Sequence, residues 1–363
     1  MLEKTKETSH QSQSSKFLFQ SKRAGVESNL RSNLVDFINK TKSSLYCAIY
    51  DLRDEVILKA LKNLNDKTNG KIKLHIAYDA GKQRNLDTNG IIADPKPAGT
   101  EDYLKKFGLE TVSTAVHAGS HIMHDKFLIR DGLSVWTGSA NFTIGGLDLQ
   151  DNNCIIIDSQ DLAKVYQNTF NELLTPNHKH PRPKEGSDVP SSVSNKPIKV
   201  GKISVIPYFS PASGEGIENE IIGLLDKAKR VRVLSMIISD EGILQALADL
   251  GRGNSSFDIR GIYDLDQMKQ IQKESTKDPS LFWFMDDKRF VGAHSHPFSP
   301  KHENDFMHNK VLIIDDNTVV TGSYNLSENA ESNDENLLVI KSHEVAGAYE
   351  RYFDTLYRKY NNK

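Results

Sequence analysis

The chain is short of cysteine, tryptophan and long apolar runs, and its charges nearly cancel. It holds only two cysteines in 363 residues, Cys47 and Cys154, too few for a disulfide-rich scaffold. Each lies in a strand-like apolar run, 45–49 and 154–157, with no base beside it. A buried free thiol is therefore expected at both, not a nucleophile. No stretch reaches the ~18 consecutive apolar residues that a membrane-spanning helix needs. The first thirty residues lack the apolar core of a signal peptide, so an intracellular, cytoplasmic location is the expectation. The formal net charge of −2 provides no global basic field. A polyanion would have to be held by Lys and Arg gathered on one face. The remaining balance, 37% hydrophobic and 26% charged, is that of a globular protein long enough for two lobes.

What is present is a polar pattern written twice. The first copy reads His124-Asp125-Lys126, Asp131, Gly138-Ser139-Ala140-Asn141, Asp151-Asn152. The second reads His308-Asn309-Lys310, Asp315, Gly322-Ser323-Tyr324-Asn325, Glu335-Asn336. Read without gaps, every position is displaced by the same interval, the one that separates His124 from His308. The surroundings repeat too. A helix with Leu30, Leu34, Phe37 and Ile38 on one face matches one at 217–227 carrying Ile221, Leu224 and Leu225. Asp54 and Asp240 each follow a strand and stand ready to cap the next helix. Ala77-Tyr78-Asp79 matches Ile262-Tyr263-Asp264. A strand at 154–157 and a helix at 162–174 follow the first motif, and a closing helix is expected over 344–357. The implied organisation is a polar tail (1–16), a first repeat (17–174), a linker rich in Pro, Ser, Lys and His (175–200), and a second repeat (201–363). Alternating strands and helices favour an α/β class with mostly parallel or mixed sheets. A pseudo-twofold axis between two such lobes would bring the duplicated loops together.

The repeated residue types suit phosphate chemistry. In a strand, residues two apart share a face, so each His projects with its Lys while the residue between points away. Gly138 and Gly322 end the next strand, where the backbone turns or approaches a ligand. Ser139, Ser323, Asn141 and Asn325 supply hydrogen-bond donors just beyond. Two copies of His, Lys, Ser and Asn give donors and cations without an oxygen cage for a hard metal. Such a set fits a phosphodiester, with one imidazole as nucleophile and the other as acid. Asp151 and Glu335, which follow the His of their own copies at the same spacing, are expected to orient that imidazole and raise its pKa.

The spacing His-x-Lys-x4-Asp-x6-Gly-Ser-x-Asn, complete in both copies, resembles the phospholipase D superfamily, the HKD phosphodiesterases. The resemblance runs from about Phe17 to Tyr357 and includes Tyr208-Phe209-Ser210-Pro211 at the entry to the second half. It implies two α/β/α sandwich lobes with the site at their interface, a covalent phosphohistidine, and no metal or other cofactor. It makes His124 the nucleophile and His308 the general acid. Lys126, Lys310, Asn141 and Asn325 would bind phosphate, and Ser139 and Ser323 would support it. Asp131 and Asp315 would anchor backbone, or a cation, behind the site. The substrate stays open between nucleic acid (DNA or RNA, cut endonucleolytically) and a phospholipid headgroup, hydrolysed or transferred. Intact histidines oppose a third reading, a binding protein without activity. The aromatic run Phe282, Trp283, Phe284 is a candidate substrate groove, as a stacking platform for bases or a lip for lipid, set against plain packing. His117, His121, His294, His296 and His302 are read as loop residues in preference to a zinc site. The cationic linker residues His178, Lys179, His180, Arg182 and Lys184 are read as solvated. With both half-sites in one chain, activity as a monomer is expected.

Overall fold

The structure is a computed structural model that describes residues 10–12, 15–68, 71–80, 99–116, 121–175, 196–297, 299 and 303–362. The loop at 81–98, the linker at 176–195 with its basic residues, and His117 and His302 lie outside the described residues. The first sheet uses β1 (His10–Ser12), β2 (Ser15–Ser21), β3 (Val26–Glu27), β4 (Ser44–Ile49), β5 (Lys73–Asp79), β6 (Ser113–Val116), β7 (Lys126–Arg130), β8 (Ser134–Gly138) and β9 (Asn152–Asp158). The second uses β10 (Ile198–Val200), β11 (Ile203–Ser210), β12 (Arg230–Ser235), β13 (Asp258–Asp264), β14 (Phe290–Ala293), β15 (Lys310–Ile314), β16 (Thr318–Gly322) and β17 (Glu335–Lys341). Helices α1 (Leu30–Asn39), α2 (Glu55–Thr68), α3 (Thr100–Lys106) and α4 (Gln160–Leu173) belong to the first half. Helices α5 (Gly214–Leu225), α6 (Glu241–Gly251), α7 (Leu265–Glu274), α8 (Glu328–Ser332) and α9 (His343–Asn361) belong to the second.

The strand orders are β1-β2-β9-β8-β7-β4-β5-β6, with β3 beside β2, and β10-β11-β17-β16-β15-β12-β13-β14. From β2 and from β11 onward the orders correspond strand for strand. Each sheet is mixed: β4, β5 and β6, like β12, β13 and β14, are parallel, and the remaining pairs are antiparallel. The expected two-lobed α/β class holds. Two expected boundaries move. His10–Ser12 and Ser15–Lys16, assigned to a polar tail, pair as an edge hairpin, and Ile198–Val200, assigned to the linker, is an edge strand of the second sheet. A three-residue edge strand is too short a run to show a periodic signature in the sequence.

The caps form as the sequence suggests. Asp54 Oδ1 accepts from the amides of Val56 and Ile57 at 3.0 and 3.1 Å, and Asp240 Oδ1 from that of Ile243 at 2.9 Å. Outer helices α1 and α2 cover one lobe, α5 and α6 the other. Helices α4 and α9 lie in a shared core between the sheets, with Phe17, Phe19, Tyr166, Phe209, Tyr349 and Phe353 almost fully buried. Each such side chain contributes about 1.5–3 kcal/mol by burial, which welds the lobes into one body. Cys47 and Cys154 are buried free thiols. Burial pushes both up, Cys154 to about 12.

The repeat is not gapless. Gly138 pairs across its ladder with Cys154, and Gly322 with Leu337. The displacement between the copies is thus one position shorter on the strands facing the glycines than at the glycines themselves. The first half absorbs the extra residue in a π turn, Gly145–Leu149, closed by Gln150 N–H donating to Gly145 O at 2.9 Å; the second half has the short α8 there. Asp151, Asn152 and Asn153 therefore correspond to Asp334, Glu335 and Asn336. The interlobe backbone bonds agree: His124 N–H donates to Asp334 O at 2.8 Å, and His308 N–H to Asp151 O at 3.0 Å.

Candidate active site

Each His-x-Lys segment enters the first residue of a central strand, so the ridge of the pleat carries His124 and Lys126, or His308 and Lys310, toward the junction of the lobes. The imidazoles are 7% exposed and the two lysines 1% and 3%. Lys126 Nζ donates to His124 O at 2.5 Å, and Lys310 Nζ to His308 O at 2.7 Å. Gly138 and Gly322 have φ of 152° and 159°, and a Cβ on either would stand 2.2 Å from a carbonyl oxygen, of Asn153 or Asn336. Only glycine permits that approach. It lets Ser139 N–H and Ser323 N–H donate to those carbonyls at 3.0 and 2.9 Å. The side-chain carbonyls of Asn141 and Asn325 are buried without a hydrogen-bond partner among the described residues.

The histidines are oriented across the interface, not by the carboxylate of their own copy. His124 Nδ1 lies 2.8 and 2.9 Å from the two oxygens of Glu335. His308 Nδ1 lies 3.0 Å from Asn152 Oδ1. The Asn152 amide is fixed in that sense: its Nδ2 donates to Gly146 O at 2.9 Å and Gln150 Oε1 at 3.2 Å, and Ser139 Oγ donates to its Oδ1 at 2.7 Å. Hence His308 donates from Nδ1. The expectation for Asp151 is corrected. Its carboxylate, fully buried, faces away to Arg23 Nη2 at 3.1 Å and to the Tyr360 hydroxyl. The register shift puts Asn152, not Asp151, in the orienting position, and the two lobes exchange partners.

Residues expected to point idly away also matter. Asp125 Oδ1 accepts from Asn336 Nδ2 at 2.8 Å, and Asn309 Oδ1 from Asn153 Nδ2 at 3.0 Å. Tyr166 OH on α4 donates to Asn336 Oδ1 at 3.2 Å, and Tyr349 OH on α9 to Asn153 Oδ1 at 2.9 Å. This floor of crossed asparagines was legible in the parallel Asp-Asn-Asn and Asp-Glu-Asn triplets once one inserted residue was allowed. Tyr50 was missed as well: its ring packs edge-on to His124 at 4.9 Å, with Lys126 Nζ 5.3 Å from its centroid.

Burial, together with Lys126 and Lys310, holds both imidazoles well below their usual range. The simple expectation that a carboxylate raises them is thereby reversed. Burial pushes Lys126 down to about 8 and Glu335 up to about 8, the neighbouring lysines pulling Glu335 back. Asp131 and Asp315 take φ of 56° and 55° and anchor backbone. Asp131 accepts from the amides of Lys42, Ser43 and Ser44 (2.7–3.1 Å at Oδ1), and Asp315 from those of Lys229 and Arg230 at 2.8 and 3.0 Å.

The aromatic run is not a groove. Phe282 and Phe284 are 2% and 0% exposed, inside the second lobe's outer core. Trp283 lies over Gly251, where a Cβ would come within 2.4 Å of its ring. The described segments that lead into or pair with the histidine strands are instead polar. Arg53 pairs with Asp51 at 2.7 Å and approaches Glu303 at 4.0 Å, Gln150 bonds Asn304, and Arg23 donates to His294 O. His294 and His296 are exposed and sit against Asp266 and Asp305. Among the described residues no histidine joins a metal-ligating cluster.

Two imidazoles, two buried lysines and paired Ser/Asn donors converging at the seam of duplicated α/β lobes define a phosphodiesterase class. Comparison with known proteins agrees. The family "Cardiolipin synthase, PLD-like domain" matches residues 34–174 and 221–357, and the chain belongs to this phospholipase D-like family. A phospholipase D of Rickettsia prowazekii is 29% identical over 158 residues, 40% of this chain and 64% of that protein. A mitochondrial cardiolipin hydrolase of Xenopus tropicalis is 39% identical over 54 residues, 15% of this chain and 26% of that one. The chain thus spans less than two thirds of these curated relatives. A crystal structure of phosphatidylserine synthase from Haemophilus influenzae shares the fold at TM-score 0.64 and 16% identity, covering 95% of this chain and 88% of that one.

Proposed function

We propose that this phosphodiesterase acts on nucleic acid, cutting the phosphodiester through a phosphohistidine on His124. The observation that carries the substrate reading is the loss of the apolar candidate: Phe282 and Phe284 are core, and the described segments that lead into or pair with the histidine strands carry Arg23, Asp51, Arg53, Gln150, Glu303 and Asn304. Among the described residues the exposed large hydrophobics are Val56, Leu133 and Ile144, far apart in sequence and on different elements. A phospholipid headgroup is the second reading, favoured by the names of the relatives.

The asymmetry of the partners supports the roles. With Nδ1–H donated to Glu335, His124 keeps its Nε2 lone pair for attack on phosphorus. The positive charge that the phosphorylated ring acquires holds Glu335 ionised, and its carboxylate offsets that charge. His308, held by a neutral amide, takes up a proton once the anionic phosphate offsets Lys126 and Lys310. It gives that proton from Nε2 to the departing oxygen as the P–O bond breaks. A water, deprotonated at the same Nε2, then attacks phosphorus and releases His124. The two lysines and the Asn141 and Asn325 amides hold the non-bridging oxygens.

The test incubates the whole chain in EDTA with single- and double-stranded DNA, RNA and phosphatidylcholine vesicles, beside His124→Ala and His308→Ala. The expected result is cleavage of nucleic acid that both variants lose. Cleavage of lipid alone refutes the substrate reading. Wild-type turnover in both variants removes the assigned site.

A further inference from the structure

The pseudo-twofold axis makes each lobe a reference for the other, and one buried position breaks the correspondence chemically. In the first lobe Asp54 caps α2 with Oδ1 and takes the Arg31 guanidinium on Oδ2 at 2.8 Å. The same guanidinium reaches Asp148 at 2.5 Å through Nη1. Arg31 thereby ties α1, the start of α2 and the π turn together, just ahead of Asn152.

In the second lobe the buried faces align Leu30, Leu34 and Ile38 with Ile217, Ile221 and Leu225. Arg31 then corresponds to Glu218. Asp54 corresponds to Asp240, and Asp148, past the inserted residue, to Glu331. The cation of the first lobe is replaced by a third carboxylate. Glu218, Asp240 and Glu331 each offer an oxygen within 4.8 Å of the other two. Asp240 is 1% exposed, and its Oδ1 caps α6, while its Oδ2, the oxygen whose counterpart holds Arg31, has no hydrogen-bond partner among the described residues. The Tyr324 hydroxyl is likewise buried without a hydrogen-bond partner among the described residues, on a side chain 1% exposed. The position holds Ala140 in the other lobe. Burial, with Asp240, Glu331, Glu335 and Glu218 around it, holds that phenol well above its usual range.

We propose that Glu218, Asp240 and Glu331, with the Tyr324 hydroxyl beside them, form a binding site for a divalent cation of the hard, oxygen-coordinated class to which Ca2+ belongs. Two carboxylates and a guanidinium sum to −1, and three carboxylates with a divalent cation also sum to −1, so the ion restores the charge that Arg31 provides in the first lobe. Carboxylate and hydroxyl oxygens, with water completing six to eight ligands, are the donors Ca2+ takes. The ion ties α5, α6 and α8 together just ahead of Glu335, as Arg31 does ahead of Asn152. It has a positioning role behind the site and no contact with the phosphate.

The test uses the full chain stripped of metal. Tb3+ luminescence excited through tyrosine, and its displacement by Ca2+ or Mg2+, reads occupancy, and Tm in Ca2+ against EDTA reads its effect on the fold. Wild type is expected to sensitise Tb3+, to release it to Ca2+ and to melt higher in Ca2+. Glu331→Gln is expected to weaken binding at least tenfold. Glu218→Arg, which remakes the first lobe's bridge, is expected to abolish both cation responses while keeping the metal-free Tm at or above wild type. Equal Tm in Ca2+ and EDTA with no Tyr-sensitised Tb3+ signal in wild type overturns the proposal, as does a cation response that survives in both variants. The same variant separates this site from the chemistry: activity lost to EDTA in wild type but kept in Glu218→Arg places the metal here and leaves the histidine mechanism intact.

Discussion

Glu335→Gln and Asp151→Asn distinguish the crossed arrangement from the ungapped one. Glu335→Gln keeps the volume and an acceptor 2.8 Å from His124 Nδ1 but removes the charge that offsets a phosphorylated imidazole. Its amide also admits the wrong tautomer, with N–H facing Nδ1. Replacing the acid of a serine-protease triad by its amide costs on the order of 10⁴ in kcat. Allowing for the lysines that share the charge here, a loss of about 10²–10⁴ is expected, or ~2.7–5.4 kcal/mol of transition-state stabilisation. Asp151→Asn leaves His124 untouched and instead strips the partner from Arg23. Breaking a buried pair from one side costs roughly 3–5 kcal/mol. The Arg23 side chain keeps 16% exposure, so about 2–3 kcal/mol of global stability is expected, with kcat per folded molecule changed less than threefold. The assay pairs turnover of bis(p-nitrophenyl) phosphate with urea unfolding of each variant. If Asp151→Asn loses turnover on the scale of Glu335→Gln at little cost in stability, the crossed assignment is wrong.

Asn152→Asp places a second carboxylate beside a histidine, on His308; by raising the pKa of the general acid it should move the alkaline limb of kcat upward in pH, seen in the pH–rate profile, without restoring Glu335→Gln. Lys126 must be charged to hold phosphate, and burial sets it near 8. As pH rises through about 8 the free enzyme loses that charge, so kcat/KM should fall roughly tenfold per unit above it, and a flat profile to pH 10 counts against the role. Trp283→Ala should cost about 2–3 kcal/mol in unfolding free energy, below a full core deletion because the ring is only partly buried, with the specific activity of the folded fraction intact; a selective loss of substrate binding would return Trp283 to the groove. Specific activity should also be constant on dilution, since both half-sites are in cis; a fall that tracks dissociation in sedimentation would refute monomer action.

Much of the site was readable because strand alternation is strict. His124 with Lys126, and His308 with Lys310, had to share a face, and Gly138 and Gly322 had to end their strands, although what their backbones approach is a neighbouring strand's carbonyl and not a ligand. The orienting partners were not readable from spacing alone. Their identity depends on which lobe's strand faces which histidine, and on one residue hidden in a π turn. Periodicity cannot tell a buried turn from an exposed lip, so Phe282, Trp283 and Phe284 were ambiguous until Gly251 supplied the space beneath the indole. Polar edge strands such as His10–Ser12 carry no pattern at all. Arg31 and Glu218 could be matched only through the buried faces of their helices, where the displacement is wider than at the motif.

The exchange of partners, Glu335 for His124 and Asn152 for His308, has a consequence for direction. Two identical copies facing each other across a true dyad would be obliged to carry the same group behind both rings. A substrate strand could then lie across them either way round with equal effect. Joining the halves in one chain lifts that obligation, and a single carboxylate-to-amide difference makes the two ends of the cleft unequal. With nucleic acid as the proposed substrate and His308 as the proposed acid, only one threading of the strand puts its leaving oxygen beside His308, and which lobe holds the amide sets the chemical identity of the new termini.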